Sequence, residues 1–297
     1  MRIVARPDFD GIVCAVLISE AEKITETIKW VEPHEIQNRL IEIKGGDIIA
    51  NLPFDNRCSI WFDHHDSNRI GSNFSGSFKI APSAAGVVFS YYEGKIKRNY
   101  TQLVKETDKI DSACLTMDEV LHPEAYPYIL LSMTVSNRGF TEEPYWNRLV
   151  GLLMKNDITD VISDLEVKER CRAVVEENRV YKSVLIENTV SNKHVSITDL
   201  RSYENAPEGN RFLVYTLFSE AVASVSIRYD DPGRQSISVS VGHNMFNPKC
   251  KVNVGKMLSK FGGGGHKGAG ACRFLASKAG EYIPQIISTL IENRPEE

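Results

Sequence analysis

Three short segments hold residues whose types and spacing could do phosphate chemistry. The first is Asp8-Phe9-Asp10. In an extended chain, residues i and i+2 point the same way. Two carboxylates at a strand end can then share one face and hold a hard divalent cation, which relieves their mutual repulsion. The plainer reading of the same residues is a polar loop with a helix N-cap, because a helical run follows Asp10. The second segment is Asp63-His64-His65. Adjacent histidines at a strand end can serve two partners, one a metal and the other a substrate anion, while a neighbouring Asp orients an imidazole. The third is Gly262-Gly263-Gly264-Gly265-His266-Lys267, followed by Gly268-Ala269-Gly270. A glycine run permits positive φ and close backbone approach, so several N–H groups can converge on a phosphate. His266 and Lys267 add positive charge at that point.

Such residues need elements to position them. Residues 2–6 (RIVAR) form a short β-prone run, and residues 11–23 space their apolar side chains as a helix does. Residues 27–33, 47–54 and 58–65 read as further strands, with a short helix over 34–42. Short apolar strands alternating with helices predict a mainly parallel sheet of the α/β type. Ligands bind at the carboxyl ends of such strands, where Asp8, Asp10, Asn51 and Asp63–His65 fall. From Pro82 to about residue 185 the periodicity is helical. After residue 191 come four β-prone runs (194–200, 211–218, 223–229 and 235–242), a helix over 253–261 and a C-terminal helix from about 277. The expected organisation is a domain over 1–185, a linker near 184–194 and a smaller α/β domain over 195–297.

Composition narrows the class. The chain has 297 residues, 42% of them hydrophobic and 25% charged, which excludes a disordered or fibrous chain. No apolar run approaches the roughly 18 residues of a membrane span. The N-terminal residues lack the apolar core of a leader. Six scattered cysteines with no CxxC pair fit a reduced compartment, so a cytoplasmic location is expected. The net charge of −4 is uneven: residues 232–280 hold eight basic residues and no acidic one. That distribution points to a polyanionic substrate, although a solvated basic face would give the same count.

The order of the segments, DxD then DHH then GGGGHKGAG, resembles the DHH phosphoesterase superfamily with its C-terminal DHHA1 domain, over residues 2–275. The superfamily includes RecJ-like exonucleases, nano-RNases with pAp-phosphatase activity, cyclic-dinucleotide phosphodiesterases and exopolyphosphatase-like proteins. The resemblance implies a two-domain clamp, with a DHH domain that holds two divalent ions, usually Mn²⁺ with Mg²⁺ as the other choice. It assigns Asp8, Asp10 and His64 to the metal, with one further Asp from a later helical segment. Asp108 and Asp111 both qualify, with a slight preference for Asp108. It places His65 at the scissile phosphate, next to Asp63. The glycine segment (Gly262, Gly263, Gly264, Gly265, His266, Lys267) and, more weakly, Arg228 would hold a second phosphate or the 3′ end of a substrate.

Two positions depart from the pattern. Residues 1–7 contain no His, and Val4 and Arg6 occupy the places where one is expected. Asn51 stands where a carboxylate bridging both metals is expected. The ion count is therefore one or two. The leading expectation is a metal-dependent phosphoesterase acting on a short single-stranded oligonucleotide, a nucleotide or a similar polyanion. The alternative is a phosphate-ligand or nucleic-acid binding protein with a weakened or lost metal site. No membrane partner is expected, and a homodimer is left open.

Overall fold

The computed structural model describes residues 1–135 and 142–295. It divides into two compact units, Met1–Leu115 with Pro123–Ala173, and Thr116–His122 with Val174–Glu297. In chain order the elements are β1 (Arg2–Ala5), α1 (Phe9–Ala21), β2 (Lys29–Trp30), α2 (Pro33–Gln37), β3 (Asp47–Ala50), β4 (Ile60–Asp63) and β5 (Gly76–Phe78). Seven helices follow: α3 (Ala84–Tyr91), α4 (Thr101–Asp111), α5 (Met117–Leu121), α6 (Pro127–Thr134), α7 (Glu143–Lys155), α8 (Ile158–Ser163) and α9 (Leu165–Asn188). The remainder is β6 (Thr189–Asn192), β7 (Val195–Asp199), α10 (Leu213–Leu217), β8 (Ala223–Tyr229), β9 (Ser236–His243), α11 (Val254–Ser259), β10 (Gly264–Gly265), β11 (Ala269–Leu275) and α12 (Ala279–Glu292).

The first unit is built on a five-stranded sheet in the order β2-β1-β3-β4-β5, with every pair parallel. Its central strands are short and apolar because both faces are covered. The β3 strand is buried throughout. Helix α1 is also apolar on nearly every side, with Phe9 to Ile18 buried without a break. A helix without a polar face must be enclosed, and α1 packs against β1, α3, α4 and α7.

The second unit carries a six-stranded sheet in the order β10-β11-β9-β8-β7-β6. Its pairs are antiparallel except β7 with β8. Alternation along β9 buries Ile237, Val239 and Val241, as expected of a strand with one covered face. Helices α11 and α12 supply Met257, Leu258, Ile286 and Leu290 to that core.

Two local expectations are corrected. Residues 211–218, read as a strand, contain α10. The Asn210 side chain accepts from the Phe212 N–H and its carbonyl from the Leu213 N–H, which starts a helical turn. Residues 184–194, read as a linker, are the end of α9 and strand β6. Within the glycine run, Gly264 and Gly265 form β10.

Candidate metal centre

Register sets the site. Ala5 pairs with Ala50 and Ala50 with Phe62, so β1, β3 and β4 end side by side. The residues that follow these ends, Arg6 to Asp10, Asn51 and Asp63 to His65, converge at the carboxyl edge, where parallel sheets place their ligands.

Asp8 and Asp10 do not share a strand face. The chain leaves β1 at Arg6, turns through an Asp8 N–H bond to the Arg6 carbonyl (2.9 Å) and starts α1 at Phe9. Along a helix, a two-residue step swings the side chain by roughly 200°. Asp8 is the N-cap, and its Oδ1 accepts from the Gly11 N–H at 2.8 Å. Asp10 turns inward and is 2% exposed. Its carboxylate accepts from the backbone N–H groups of Ala84 (2.9 Å) and Ala85 (2.8 Å), the first residues of α3. The positive end of that helix thus holds a buried carboxylate.

The two histidines have separate partners. His64 Nδ1 lies 2.9 Å from the Ala81 carbonyl, which can only accept, so Nδ1 carries the proton. In the neutral ring Nε2 then presents a lone pair. That atom is buried without a hydrogen-bond partner, 3.8 Å from Asp10 Oδ2 and 3.4 Å from Asp111 Oδ2. A lone pair facing two carboxylates is repelled by both unless a cation lies between them. The ligand atoms of Asp10, His64 and Asp111 all lie within 4.8 Å of one another. Nitrogen with two carboxylate oxygens suits a divalent ion of the manganese or magnesium type.

His65 turns its Nδ1 to Asp63 Oδ1 at 2.8 Å. Asp63 is fully buried, and it also accepts from the His64 N–H (2.8 Å) and from Asn68 Nδ2 (2.6 Å). Its oxygens are thus occupied by donors, which makes Asp63 an orienting group. The Asp63 hydrogen bond raises the pKa of His65 against the opposing effect of burial. An imidazolium with a free Nε2–H is favoured there, suited to a phosphoryl oxygen.

The two helical aspartates resolve differently from the slight preference for Asp108. Asp108 Oδ1 accepts from Ser83 Oγ at 2.5 Å, and Ser83 is the N-cap of α3. Asp108 therefore braces the helix end that holds Asp10 and is absent from the cation cluster. Asp111, at the last turn of α4, is the residue that reaches His64. Desolvation first, then the charge of Asp8, pushes the Asp111 carboxyl up to about 6. Burial first, then Asp111 and Asp8, pushes Asp10 well above the usual carboxylate range. A shared cation would relieve this strain among like charges.

On the other side of the centre the chain's own donors meet Asp8, and only the neutral Asn51 Oδ1 is buried there without a hydrogen-bond partner among the described residues. Asp8 Oδ1 accepts from Asn51 Nδ2 at 3.0 Å as well as from Gly11, and Asp8 Oδ2 lies 3.2 Å from Arg6 Nε. Asn51 follows β3 with φ +57°, a left-handed conformation that Asn tolerates. The Asp10–His64–Asp111 set therefore fits one divalent ion. The Arg6–Asp8–Asn51 set, with a guanidinium already on the carboxylate and a neutral amide beside it, does not fit a second.

Sequence reasoning passed over Ser83, Ala84, Ala85 and Asn68. The available signal was Ser83 before an apolar helix, with Gly86 three residues later, where a Cβ would lie 2.9 Å from Asp108 Oδ1.

The remaining expected residues lie in the second unit. Gly262 has φ +76° and Gly265 φ +147°. A Cβ on Gly263 would lie 2.3 Å from the Ala271 carbonyl, whereas one on Gly264 would meet nothing within 4 Å. The carbonyls of His266 and Lys267 accept from Gly255 and Val254 at the start of α11, and both side chains are exposed. Arg228 pairs with Glu208 at 3.0 Å on the surface, so its expected anion role has a competing partner. Among the described residues, no helix is long and apolar enough to cross a membrane.

No family model and no curated protein matches the chain. Solved structures do. A pGpG-specific phosphodiesterase, PggH from Vibrio cholerae, is 28% identical with a TM-score of 0.85, and the match covers 99% of each chain. The DHH domain of a member of the s1p family of ribosomal proteins gives a TM-score of 0.64 at 11% identity, covering 99% of this chain and 87% of that one. RecJ from Thermus thermophilus, in complex with Mn²⁺, gives 0.60 at 11% identity, covering 99% of this chain and 52% of that one. The parallel sheet, the order of the motifs and these likenesses are consistent with the DHH/DHHA1 phosphoesterase superfamily that the sequence resembles.

Proposed function

We propose that the protein is a metal-dependent phosphodiesterase that cleaves a short linear nucleotide, a phosphorylated dinucleotide of the pGpG kind being the leading substrate. The observation that carries the reading is the buried, unpartnered Nε2 of His64 aimed between Asp10 and Asp111. The substrate class rests on the likeness to PggH, which extends over the full length of both chains.

Asp10, His64 and Asp111 would hold one Mn²⁺ or Mg²⁺. Such an ion acts as a Lewis acid on a phosphoryl oxygen and makes water nucleophilic near neutral pH. The chain supplies the rest. The α3 N-terminus, braced by Ser83 and Asp108, fixes the Asp10 carboxylate. The Ala81 carbonyl holds the His64 tautomer that leaves Nε2 unprotonated. His65, oriented by Asp63, donates from Nε2 to charge gathering on the phosphoryl oxygens. In the second unit, exposed His266 and Lys267 and the open face at Gly264 are proposed to bind phosphate.

Hydrolysis of pGpG, pAp and a longer single-stranded oligonucleotide tests the reading. Expected is Mn²⁺-dependent cleavage of pGpG, abolished by EDTA and restored by added Mn²⁺. Tight binding of pGpG without cleavage of any of the three, Mn²⁺ being present, would instead identify a binding protein.

A further inference from the structure

We infer that the Arg6 guanidinium serves as the built-in second cation of the centre, keeping a second divalent ion away from Asp8 and binding a substrate phosphoryl oxygen itself. The inference deepens the phosphodiesterase reading above and rests on it.

Arg6 is held in place for this role. Its Nε lies 3.2 Å from Asp8 Oδ2, and among the described residues its guanidinium pairs with Asp8 alone. The backbone beneath it is fixed. The Arg6 carbonyl accepts from the Asp8 N–H, and α1 packs so closely that a Cβ on Gly11 would lie 2.0 Å from that carbonyl oxygen. The side chain is 37% exposed, so its terminal nitrogens are open to a ligand.

The chemistry of Asp8 leaves little room for another cation. Its Oδ1 already takes two donors, Gly11 N–H and Asn51 Nδ2, and Oδ2 takes the guanidinium. A divalent ion at Asp8 would have to displace Arg6 and would find a neutral amide where a carboxylate is needed. An arginine remains charged at any working pH and offers a planar fork that matches two phosphate oxygens. Arg6, Asp8 and Asn51 thus form one device, in which the amide and the helix N–H hold the carboxylate and the carboxylate holds the guanidinium. A purely structural Arg6 would account for the pairing with Asp8. It would leave phosphate affinity independent of the side chain.

The test uses the full chain and two probes, Mn²⁺ and inorganic phosphate. Calorimetry on the unaltered protein is expected to show one tight Mn²⁺, with a mononuclear six-line electron paramagnetic resonance spectrum. That measurement needs no variant. In the Mn²⁺-loaded protein, Arg6→Gln should weaken phosphate binding about ten- to hundredfold, the range for a charged hydrogen bond. The double variant Arg6→His with Asn51→Asp should take up a second Mn²⁺ and show a spin-coupled spectrum. Two tight ions in the unaltered protein, phosphate affinity unchanged in Arg6→Gln, or a double variant still holding one ion would each overturn the inference while leaving the metal-dependent reading intact. Absence of any bound Mn²⁺ in the unaltered protein would overturn both.

Discussion

The imidazoles of His64 and His65 stand 4.1 Å apart between ring centres, yet their hydrogen-bond partners differ. The Ala81 carbonyl takes the proton-bearing nitrogen of His64 and leaves a lone pair for a cation. Asp63 accepts a hydrogen bond from the Nδ1–H of His65 and favours its protonated form. His64→Ala should therefore abolish Mn²⁺ binding. His65→Ala should leave Mn²⁺ affinity within about threefold and lower kcat by about 10²–10³, the cost of a positioned donor to developing charge. Calorimetry and turnover of pGpG check the pair. The same contact sets a pH direction. A histidine whose folded pKa is raised contributes stability that is present at low pH and lost as pH rises through that pKa. Turnover that needs the imidazolium should fall over the same window, and Asp63→Asn should move the fall to lower pH. An NMR titration of His65 reads the shift directly.

At the scale of elements, the site is a matter of where helices begin and end. The α3 N-terminus holds Asp10, the start of α1 presents Asp8 and the last turn of α4 delivers Asp111. Asp108 and Asp111 are three residues apart and lie near one face of α4, so helical spacing gave no means of choosing between them. Asp111→Asn should cost more than tenfold in Mn²⁺ affinity. Asp108→Asn should leave the ion count at one, because an amide oxygen can still accept from Ser83 Oγ. Ser83→Ala should cost about 1 kcal/mol in stability as a lost N-cap, read by urea unfolding. The parallel sheet was legible because short apolar runs alternated with helices, and Asp63-His64-His65 at the end of β4 was legible for the same reason. The placement of Asp8 and Asp10 was not, because an i, i+2 pair changes direction when a helix starts between them. Residues 211–218 misled for a related reason. Their apolar content suits a strand, and the Asn210 contacts that start a helical turn are not visible in hydrophobic spacing. Nor could composition show that Gly263 and Gly265 serve a tightly packed hairpin, since glycines for close packing and glycines for a ligand look alike in sequence.

Across the whole molecule, the centre sets stability against charge. Asp10 and Asp111 lie beside one another with raised pKa values, Asp111 at about 6. Unfolded, each carboxyl ionises near its ordinary value of about 3.9. Between that value and 6 the folded chain therefore binds more protons than the unfolded one, and stability falls as pH rises. Other groups work in the opposite direction: Asp55 and Asp199 are held below their ordinary range by Arg57 and Arg201. Their contribution is present above their unfolded pKa and is lost only as pH falls through their lowered folded values, in more acidic solution. In the metal-free protein, Tm should therefore decline from pH 5 to pH 7 by an amount that Asp111→Asn reduces. Mn²⁺ binds the ionised carboxylates of the folded chain, so it should raise Tm in proportion to the logarithm of its concentration once saturating. Its affinity should drop as protons compete below pH 6. The Mn²⁺-induced rise in Tm should accordingly be largest at pH 7 and smallest at pH 5. Thermal melts at both pH values, with EDTA and with Mn²⁺, measure it. A rise in Tm of equal size at both would mean that the ion binds away from Asp10 and Asp111.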